Sequence, residues 1–226
     1  RLQGDWSSDV CSSDLAASKG KVKAMYVMGA DPVMSEPDTT KVKKALSKLD
    51  FLIVQDIFMS NTAQYADVVL PAACFAEKDG TFTNMERRVQ RIRKTVKPPG
   101  EAKADWNIIS ELSTCMGSPM NYSSPEAIWE EIRKISPNFA GINYQRLNNG
   151  GIQWPCPKAD HPGTKFLYEK KFPNGKAMFS STESKPSSEK PDKSYPFILS
   201  TGRTLYHFNS GTMTHRAKGS IQKQIG

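Results

Sequence analysis

Residues 22–32 read Val-Lys-Ala-Met-Tyr-Val-Met-Gly-Ala-Asp-Pro and set the fold of the first part of the chain. The apolar run at 22–28 predicts a β-strand, and the Gly-Ala-Asp-Pro that follows it is a turn signal. Asp38 then predicts the N-cap of a helix over residues 39–49. Within that helix the apolar residues recur at i, i+3, i+4 and i+7, so that they fall on one face: Val42, Ala45, Leu46 and Leu49.

The alternation of strand and helix continues beyond residue 50. Residues 51–54 form a continuous apolar run, typical of a strand buried in a parallel sheet, and the run ends at Gln55 and Asp56. A short helix at 62–66 leads to a strand at 68–70, which Pro71 stops. This order predicts an α/β fold with a parallel, Rossmann-like sheet, flanking helices and right-handed crossovers. Helices are also predicted at 105–116 and 125–135, the second capped by Ser124.

Four segments are expected along the chain. Residues 1–15 repeat Ser-Ser-Asp without any helical or strand period, resemble a translated sequencing adapter, and are expected to be a non-native leader. Residues 16–150 form the α/β domain. Residues 151–194 form a linker rich in Pro, Ser, Lys and Gly, with a hairpin turn at Asn174-Gly175. Residues 195–226 begin a second domain with a strand at 195–199, and we expect truncation after Gly226.

Composition limits the classes of partner. The chain has 226 residues, 38% of them hydrophobic and 24% charged, which is typical of a globular protein. Its formal charge of +8 favours an anionic partner, which could be nucleic acid, a membrane surface or a phosphorylated ligand. No apolar run reaches the roughly 20 residues of a membrane-spanning helix. The basic cluster lacks the interleaved aromatics of a base-stacking surface and predicts a solvated strand face: Arg87, Arg88, Arg91, Arg93, Lys94 and Lys97.

A ligand of an open parallel sheet binds beyond the carboxyl ends of the strands. Gly29 and Asp31 follow one such end, and Gln55 and Asp56 follow another. Gly29 suits either a close approach of ligand to backbone or a plain turn. Asp56 suits either two N–H bonds from a guanine edge or a ribose hydroxyl, or the cap of the next helix. The glycine fingerprint of dinucleotide dehydrogenases and the Walker loop are absent, which argues against an ordinary nicotinamide or ATP site.

A second candidate region is the loop at 200–214, Ser-Thr-Gly-Arg-Thr-Leu-Tyr-His-Phe-Asn-Ser-Gly-Thr-Met-Thr. It combines glycine, a cation, a histidine and many hydroxyl and amide groups without any acid. Backbone N–H groups, a guanidinium and short polar donors are the groups that hold a pyrophosphate or another polyanion. The loop therefore predicts an anion site, with a plain polar turn as the alternative.

Several motifs in fixed order resemble the molybdopterin oxidoreductase family. The segments are Gly-Ala-Asp-Pro at 29–32, Ile-Val-Gln-Asp-Ile-Phe at 53–58, Ala-Asp-Val-Val-Leu-Pro at 66–71, Glu-Lys-Asp-Gly-Thr-Phe-Thr-Asn at 77–84, Glu-Arg-Arg-Val-Gln at 86–90 and Gly-Glu-Ala-Lys-Ala-Asp-Trp at 100–106. The 201–214 loop resembles the start of the family's fourth domain, the molybdopterin dinucleotide-binding β-barrel. Residues 151–157 and 206–214 most resemble the large (alpha) subunit of formate dehydrogenase, whereas nitrate reductases share some of the other elements.

The resemblance implies a bis-molybdopterin guanine dinucleotide cofactor carrying molybdenum or tungsten. By resemblance, Gly29 and Asp31 line the approach of one dinucleotide, and Gln55 and Asp56 contact its ribose or guanine. Lys78 is similar to a family lysine on the same cofactor, with an exposed loop charge as the alternative. Asp105 is similar to an aspartate that binds guanine, with a helix N-cap as the alternative or additional role.

The resemblance also implies that one continuous loop wraps the pterin and pyrophosphate. Arg203 would offer a planar fork to phosphate oxygens, and His207 would act as a donor near the pterin or the metal. The loop residues are Thr201, Gly202, Arg203, Thr204, Leu205, Tyr206, His207, Phe208, Asn209 and Ser210.

The implied activity is oxidation of formate to carbon dioxide in the full-length protein, with electrons passed to iron–sulfur (4Fe-4S) clusters and electron-transfer subunits. The family's metal ligand and cluster cysteines are not recognisable here, so this piece alone is expected to be inactive. A cytoplasmic location and no nucleic-acid partner are expected. Three alternatives stay open: a nitrate reductase or other member of the family, a basic nucleic-acid-binding module, and a non-catalytic nucleotide-binding α/β domain.

Overall fold

A computed structural model describes residues 16–186, 190–200, 202 and 204–217. The chain divides into two compact units, Arg1–Lys165 and Phe166–Gly226. The expected leader at 1–15 lies outside the described residues, and so do Thr201 and Arg203 of the predicted anion loop.

A parallel sheet lies near the start of the first unit. Strands β1 (Ala24–Met28), β2 (Phe51–Asp56) and β3 (Val68–Pro71) pair in the order β1-β2-β3. Helices α1 (Pro32–Ser35) and α2 (Thr39–Leu46) connect β1 to β2, and a 3₁₀ helix at Ala63–Tyr65 lies between β2 and β3. The predicted parallel α/β arrangement is confirmed, and β2 is its central strand.

One face of this sheet forms a hydrophobic core with α2. Leu52 and Val54 of β2 are buried against Val42 and Leu46. The predicted cap is present, because the Asp38 carboxylate accepts the Lys41 N–H at 2.9 Å. The helix itself ends at Leu46. The Ser47 N–H still reaches the Lys43 carbonyl, but the two N–H groups after it turn back to carbonyls only three positions away, as in the 3.1 Å bond from Leu49 to Leu46. Leu49 still packs on the core, as its position in the helical pattern predicted.

A second, antiparallel sheet was not predicted from the sequence. It consists of β4 (Gly80–Thr83), β5 (Arg88–Ile92) and β6 (Ile152–Gln153), with β5 in the centre. Gly151 lets the chain approach β5 closely, because a Cβ there would lie 2.5 Å from Arg88 Cγ. Helices α3 (Asp105–Cys115), α4 (Pro125–Ile135) and α5 (Tyr144–Leu147) follow the two longer strands. Ser124 caps α4 as predicted, accepting the Ala127 N–H at 3.2 Å.

The arginines around β5 correct a prediction. Arg87, Arg88 and Arg91 do not form a solvated face but are half-buried. Arg87 donates to the carbonyls of Trp154, Thr164 and Lys165, and Arg91 stacks on the Tyr144 ring with 4.1 Å from its guanidinium carbon to the ring centroid. Carbonyl oxygens and an aromatic face hold these cations within the first unit, although Arg91 Nε is buried without a hydrogen-bond partner among the described residues. Arg93, Lys94 and Lys97 remain exposed.

The second unit is largely irregular in its described part. The turn at Asn174-Gly175 forms, with Gly175 at φ +91° and its N–H on the Phe172 carbonyl at 2.9 Å. The strand predicted at 195–199 is not confirmed: these residues have no strand pairing, and Phe197 and Leu199 are each 89% exposed. A strand needs a neighbour for its N–H and C=O groups, and none is present among the described residues. In the described ranges, no helix combines the length and apolarity needed to cross a membrane.

Candidate functional site

The loop after β1 is fixed by a glycine. Gly29 has φ +60°, a conformation that costs little only without a Cβ, and its N–H donates to the Gln55 carbonyl at 2.9 Å. The direction in which a Cβ would point is open for 4 Å. Gly29 is therefore a turn residue that also leaves its backbone approachable, so the two roles weighed for it are compatible.

Asp31 is a buried carboxylate with only 4% of its surface exposed. One oxygen accepts the N–H and the hydroxyl of Thr62, at 3.0 and 2.7 Å. The other accepts the backbone and side-chain N–H groups of Asn61, at 3.1 and 3.3 Å. A carboxylate offers about four lone-pair sites, so these bonds use all of them. The Asp31 side chain therefore links the loop after β2 to the end of β1. Its predicted position beside a cofactor stays a prediction.

At the carboxyl end of β2, three predicted site residues are linked into one hydrogen-bonded array. The fully buried Gln55 side chain donates from Nε2 to Asp105 Oδ1 at 2.7 Å. Lys78 Nζ donates to the other oxygen, Asp105 Oδ2. A fourth member, Tyr26, donates its hydroxyl to Gln55 Oε1. Tyr26, Gln55, Asp105 and Lys78 are called the polar array below.

The carboxylate dictates the direction of every bond in the polar array. An ionised carboxylate only accepts, so the Gln55 amide must turn its nitrogen to Asp105 and its oxygen to Tyr26. Tyr26 must then keep its proton in order to donate. Partial burial, and next to it the negative charge of Asp105, raise the pKa of Tyr26 above its ordinary value of 10.0. The Tyr26 hydroxyl is therefore protonated at neutral pH.

The alternatives weighed for Asp105 and Lys78 are resolved by the geometry. Asp105 is the first residue of α3, and the N-cap is Ala104, so the interpretation of Asp105 as the cap is wrong. The Lys78 side chain is 20% exposed and ion-paired, so it is not a freely solvated loop charge. Asp56 remains half-buried and accepts the Phe58 N–H at 3.2 Å, which stabilises the turn after β2 rather than a helix.

A cavity of about 270 Å³ lies beside the ion pair. Lys78 and Asp105 line it, together with the rings of Trp106 and Trp129 and with Phe82. A cation, a carboxylate and flat apolar walls suit a planar, polar-edged ring. The family resemblance predicted Lys78 and Asp105 near a ligand but not the aromatic walls, which come from three separate elements, β4, α3 and α4.

In the second unit, the described part of the predicted anion loop is centred on His207. Its Nδ1 lies 2.7 Å from Thr214 Oγ1, and its ring stacks on His215 with 4.1 Å between centroids. Nε2 is buried without a hydrogen-bond partner among the described residues. Gly211, at φ +71°, permits this pair, because a Cβ there would lie 2.4 Å from the His215 ring. His215 is a member of this cluster that the sequence did not single out.

A cavity of about 550 Å³ opens on the same loop. The residues that line it are Thr204, Leu205, Tyr206, His207, Phe208 and Thr214. Gly202, Asn209 and Ser210 are exposed, and Asn209 takes a positive φ of 52°. Within the described ranges, no three His, Cys, Asp or Glu side chains come together in a way that could hold a metal ion.

Comparison with known proteins identifies relatives of this chain. Residues 7–115 match the sequence model of the molybdopterin oxidoreductase family. The F420-dependent formate dehydrogenase subunit alpha of Methanocaldococcus jannaschii is 50% identical over 222 residues, which is 96% of this chain and 33% of the relative. The assimilatory nitrate reductase catalytic subunit of Bacillus subtilis is 42% identical over 210 residues, 88% of this chain and 29% of the relative. The chain thus spans about a third of the length of these relatives.

A solved structure shares the fold. The acetylene hydratase from Pelobacter acetylenicus superposes on 64% of this chain and 20% of its own, with a TM-score of 0.52 and 24% identity. At that identity the likeness concerns the arrangement of strands and helices, and it agrees with the mixed α/β architecture described above.

Proposed function

Because the chain belongs to the molybdopterin oxidoreductase family, we propose that it is the cofactor-cradling part of a formate dehydrogenase alpha subunit. The 50% identity to an F420-dependent formate dehydrogenase, against 42% to a nitrate reductase, favours formate as the substrate. The observation that carries the proposal is the polar array, in which a carboxylate and an ammonium stand side by side at an aromatic cavity.

The donors and acceptors of the array fit a guanine or pterin edge. Asp105 accepts one bond on each oxygen and has about two lone-pair sites left, and the Lys78 ammonium has further N–H donors. A 2-amino-4-oxo ring edge presents a carbonyl acceptor next to N–H donors, so the carbonyl pairs with Lys78 and the N–H groups pair with Asp105. In the same pose, adenine would turn its amino donor to the Lys78 ammonium and its ring acceptor to the Asp105 carboxylate, so that both contacts would be mismatched. The array therefore fits a molybdopterin guanine dinucleotide.

We also assign cofactor contacts to the strand-end residues of the first unit and, separately, to the loop at 201–210 of the second unit. Gly29, Asp31 and Asp56 shape the approach to the array. In the second unit, we assign His207 to the pterin, and Thr201 and Arg203 to the phosphate contacts. We place the start of the dinucleotide-binding barrel at 195–226, beyond the first unit, which extends to Lys165, with residues 195–199 pairing with strands from the remainder of the full-length protein.

When bound, the bis-molybdopterin guanine dinucleotide supplies a molybdenum or tungsten centre that takes up the electron pair released as formate becomes carbon dioxide. The residues of this chain hold and orient that group and exclude water from it. Iron–sulfur clusters elsewhere in the full-length chain and separate electron-transfer subunits, in the cytoplasm, carry the electrons onward. The 226-residue piece is inactive alone.

The test uses the purified full-length parent. Molybdenum or tungsten is measured together with formate-dependent reduction of a viologen dye, and nitrate-dependent oxidation of the reduced dye is the matched control. Metal with formate activity supports the proposal. Metal with nitrate activity alone would replace formate dehydrogenase by nitrate reductase.

If the full-length parent contains no metal and shows neither activity but still binds guanine nucleotides, the alternative of a non-catalytic nucleotide-binding α/β domain is supported. A basic nucleic-acid-binding module is disfavoured by the intramolecular contacts of Arg87 and Arg91. That alternative would be supported if the full-length parent bound DNA or RNA with an affinity that falls steeply as the salt concentration rises.

A further inference from the structure

We propose that Tyr26 is a positioning residue that sets the base selectivity of the polar array by holding the Gln55 amide in one orientation. The inference rests on the proposed function and adds a residue that neither the strand-end argument nor the family resemblance singled out. Tyr26 lies on β1, one strand away from Gln55, and its ring is 38% exposed.

Register explains how Tyr26 reaches Gln55. Met28 pairs with Gln55 across β1 and β2, and Tyr26 lies two positions before Met28, on the same face of the sheet. The opposite face, with Val27 and Val54, is committed to the hydrophobic core. Tyr26 therefore points to the polar side, where its hydroxyl can approach the Gln55 amide oxygen at the diagonal distance that long side chains span.

Gln55 needs an anchor at each end of its amide. The side chain is fully buried, and fixing a long polar side chain costs conformational entropy. Asp105 holds the nitrogen at 2.7 Å, and Tyr26 holds the oxygen. Without the Tyr26 hydroxyl, the oxygen loses its partner, and the amide no longer holds Asp105 Oδ1 in place. The Lys78 ion pair is then left as the main restraint on the carboxylate.

Loss of the Tyr26 hydroxyl would alter how Asp105 and Lys78 contact a ligand. A carboxylate held from both sides keeps its remaining lone pairs aimed at the N–H donors of a guanine-type edge. A carboxylate held only by Lys78 draws the ammonium towards itself and away from the ring carbonyl. Loss of the Tyr26 hydroxyl should therefore weaken guanine binding more than adenine binding, because adenine uses neither contact well.

The experiment measures binding of GDP and ADP to the full-length parent prepared without cofactor, by calorimetry. Tyr26→Phe removes only the hydroxyl and keeps the ring. Tyr65→Phe, a tyrosine of the 3₁₀ helix with a similar exposure of 39%, is the matched control. We expect GDP affinity to fall about fivefold in Tyr26→Phe, as for loss of one hydrogen bond, with ADP and the control unchanged. Equal losses for GDP and ADP, or no loss for GDP, would overturn the proposal.

A double-mutant cycle with Gln55→Met tests the route of the effect. If Tyr26 acts through Gln55, Tyr26→Phe changes nothing further once Gln55 is methionine, and additive losses would contradict the inference. The variant Asp105→Asn distinguishes failure of the positioning role of Tyr26 from failure of the proposed function. Binding that requires Asp105 but is indifferent to Tyr26 sinks the positioning role alone, whereas GDP binding that is absent or indifferent to Asp105 sinks the proposed function with it.

Discussion

Asp31 and Asp105 are two carboxylates of the same unit whose surroundings differ in what they leave unsatisfied. Asp31 accepts four hydrogen bonds from Asn61 and Thr62 and is buried. Asp105 accepts one bond on each oxygen and lines an aromatic cavity. Both were expected at the cofactor. We therefore expect an aspartate to bind a ligand only where its neighbours leave some of its lone pairs free, as they do for Asp105 and not for Asp31.

The largest expected effect concerns the stability role of Asp31. Asp31→Ala leaves the N–H groups of Asn61 and Thr62 unpaired in a buried site, and we expect the free energy of unfolding to fall by about 3–5 kcal/mol. Urea unfolding of the full-length parent measures it. Asp38→Ala, which removes only a helix cap, should cost about 1 kcal/mol. A loss below that of Asp38→Ala would mean that Asp31 is not the structural member of the pair.

Asp105→Asn should act on the ligand rather than on the fold. The change removes the charge that accepts ligand N–H groups, so GDP affinity should fall by about 10–100-fold, as for loss of a bond to a charged group. The free energy of unfolding should change by about 1 kcal/mol or less, because the ion pair with Lys78 is partly exposed. Glu111→Gln, in the exposed pair with Lys103, is the control and should leave GDP binding unaltered.

A smaller effect is expected from the cation of the array. Lys78→Met keeps the length of the side chain but removes the donor to a ring carbonyl, and GDP affinity should fall by about tenfold. Lys103→Met is the matched control, since that ammonium pairs with Glu111 on the exposed surface. Calorimetry measures the GDP affinity of both variants. Equal affinities of Lys78→Met and Lys103→Met would show that Lys78 does not contact the base.

The smallest effect is a dependence of stability on alkaline pH. The folded pKa of Tyr26 lies above its unfolded value of 10.0, chiefly because of partial burial and then because of Asp105. The stabilisation from protonated Tyr26 is fully present below pH 10.0 and is lost as the pH rises through the folded pKa. As the pH rises above 10.0, the free energy of unfolding measured in urea should therefore fall less for Tyr26→Phe than for the wild type. Parallel curves would show that Tyr26 is not coupled to the fold.

Local patterns predicted the parallel sheet well. The strands β1 to β3 and the helices α2 and α4 carry periodic apolar residues and caps such as Asp38 and Ser124, which depend only on neighbours in sequence. The antiparallel sheet could not be predicted from local patterns. Its strand β6 has only two residues and pairs with β5 about sixty positions earlier along the chain, as in Val89 with Ile152. For β5 the sequence predicted a strand face but wrongly a solvated one, because the carbonyls that accept from Arg87 and Arg88 lie far away along the chain.

The polar array shows what resemblance and sequence could supply. Gln55, Lys78 and Asp105 were each expected near a cofactor, but their linkage into one array depends on β2, a loop and α3 meeting in space. Tyr26 was missed because its role follows from strand register rather than from any motif. The strand expected at 195–199 was a correct reading of apolar content, but a strand also needs a partner, which the described residues do not provide.

The base of the bound nucleotide is the most direct test of the central claim that the Lys78–Asp105 pair binds a guanine edge. Acid hydrolysis of the purified full-length parent, followed by chromatography, identifies the nucleotide that is released. We expect a guanine nucleotide from the wild type and about tenfold less of it from Asp105→Asn. Release of an adenine or cytosine nucleotide, or equal guanine from both proteins, would contradict it.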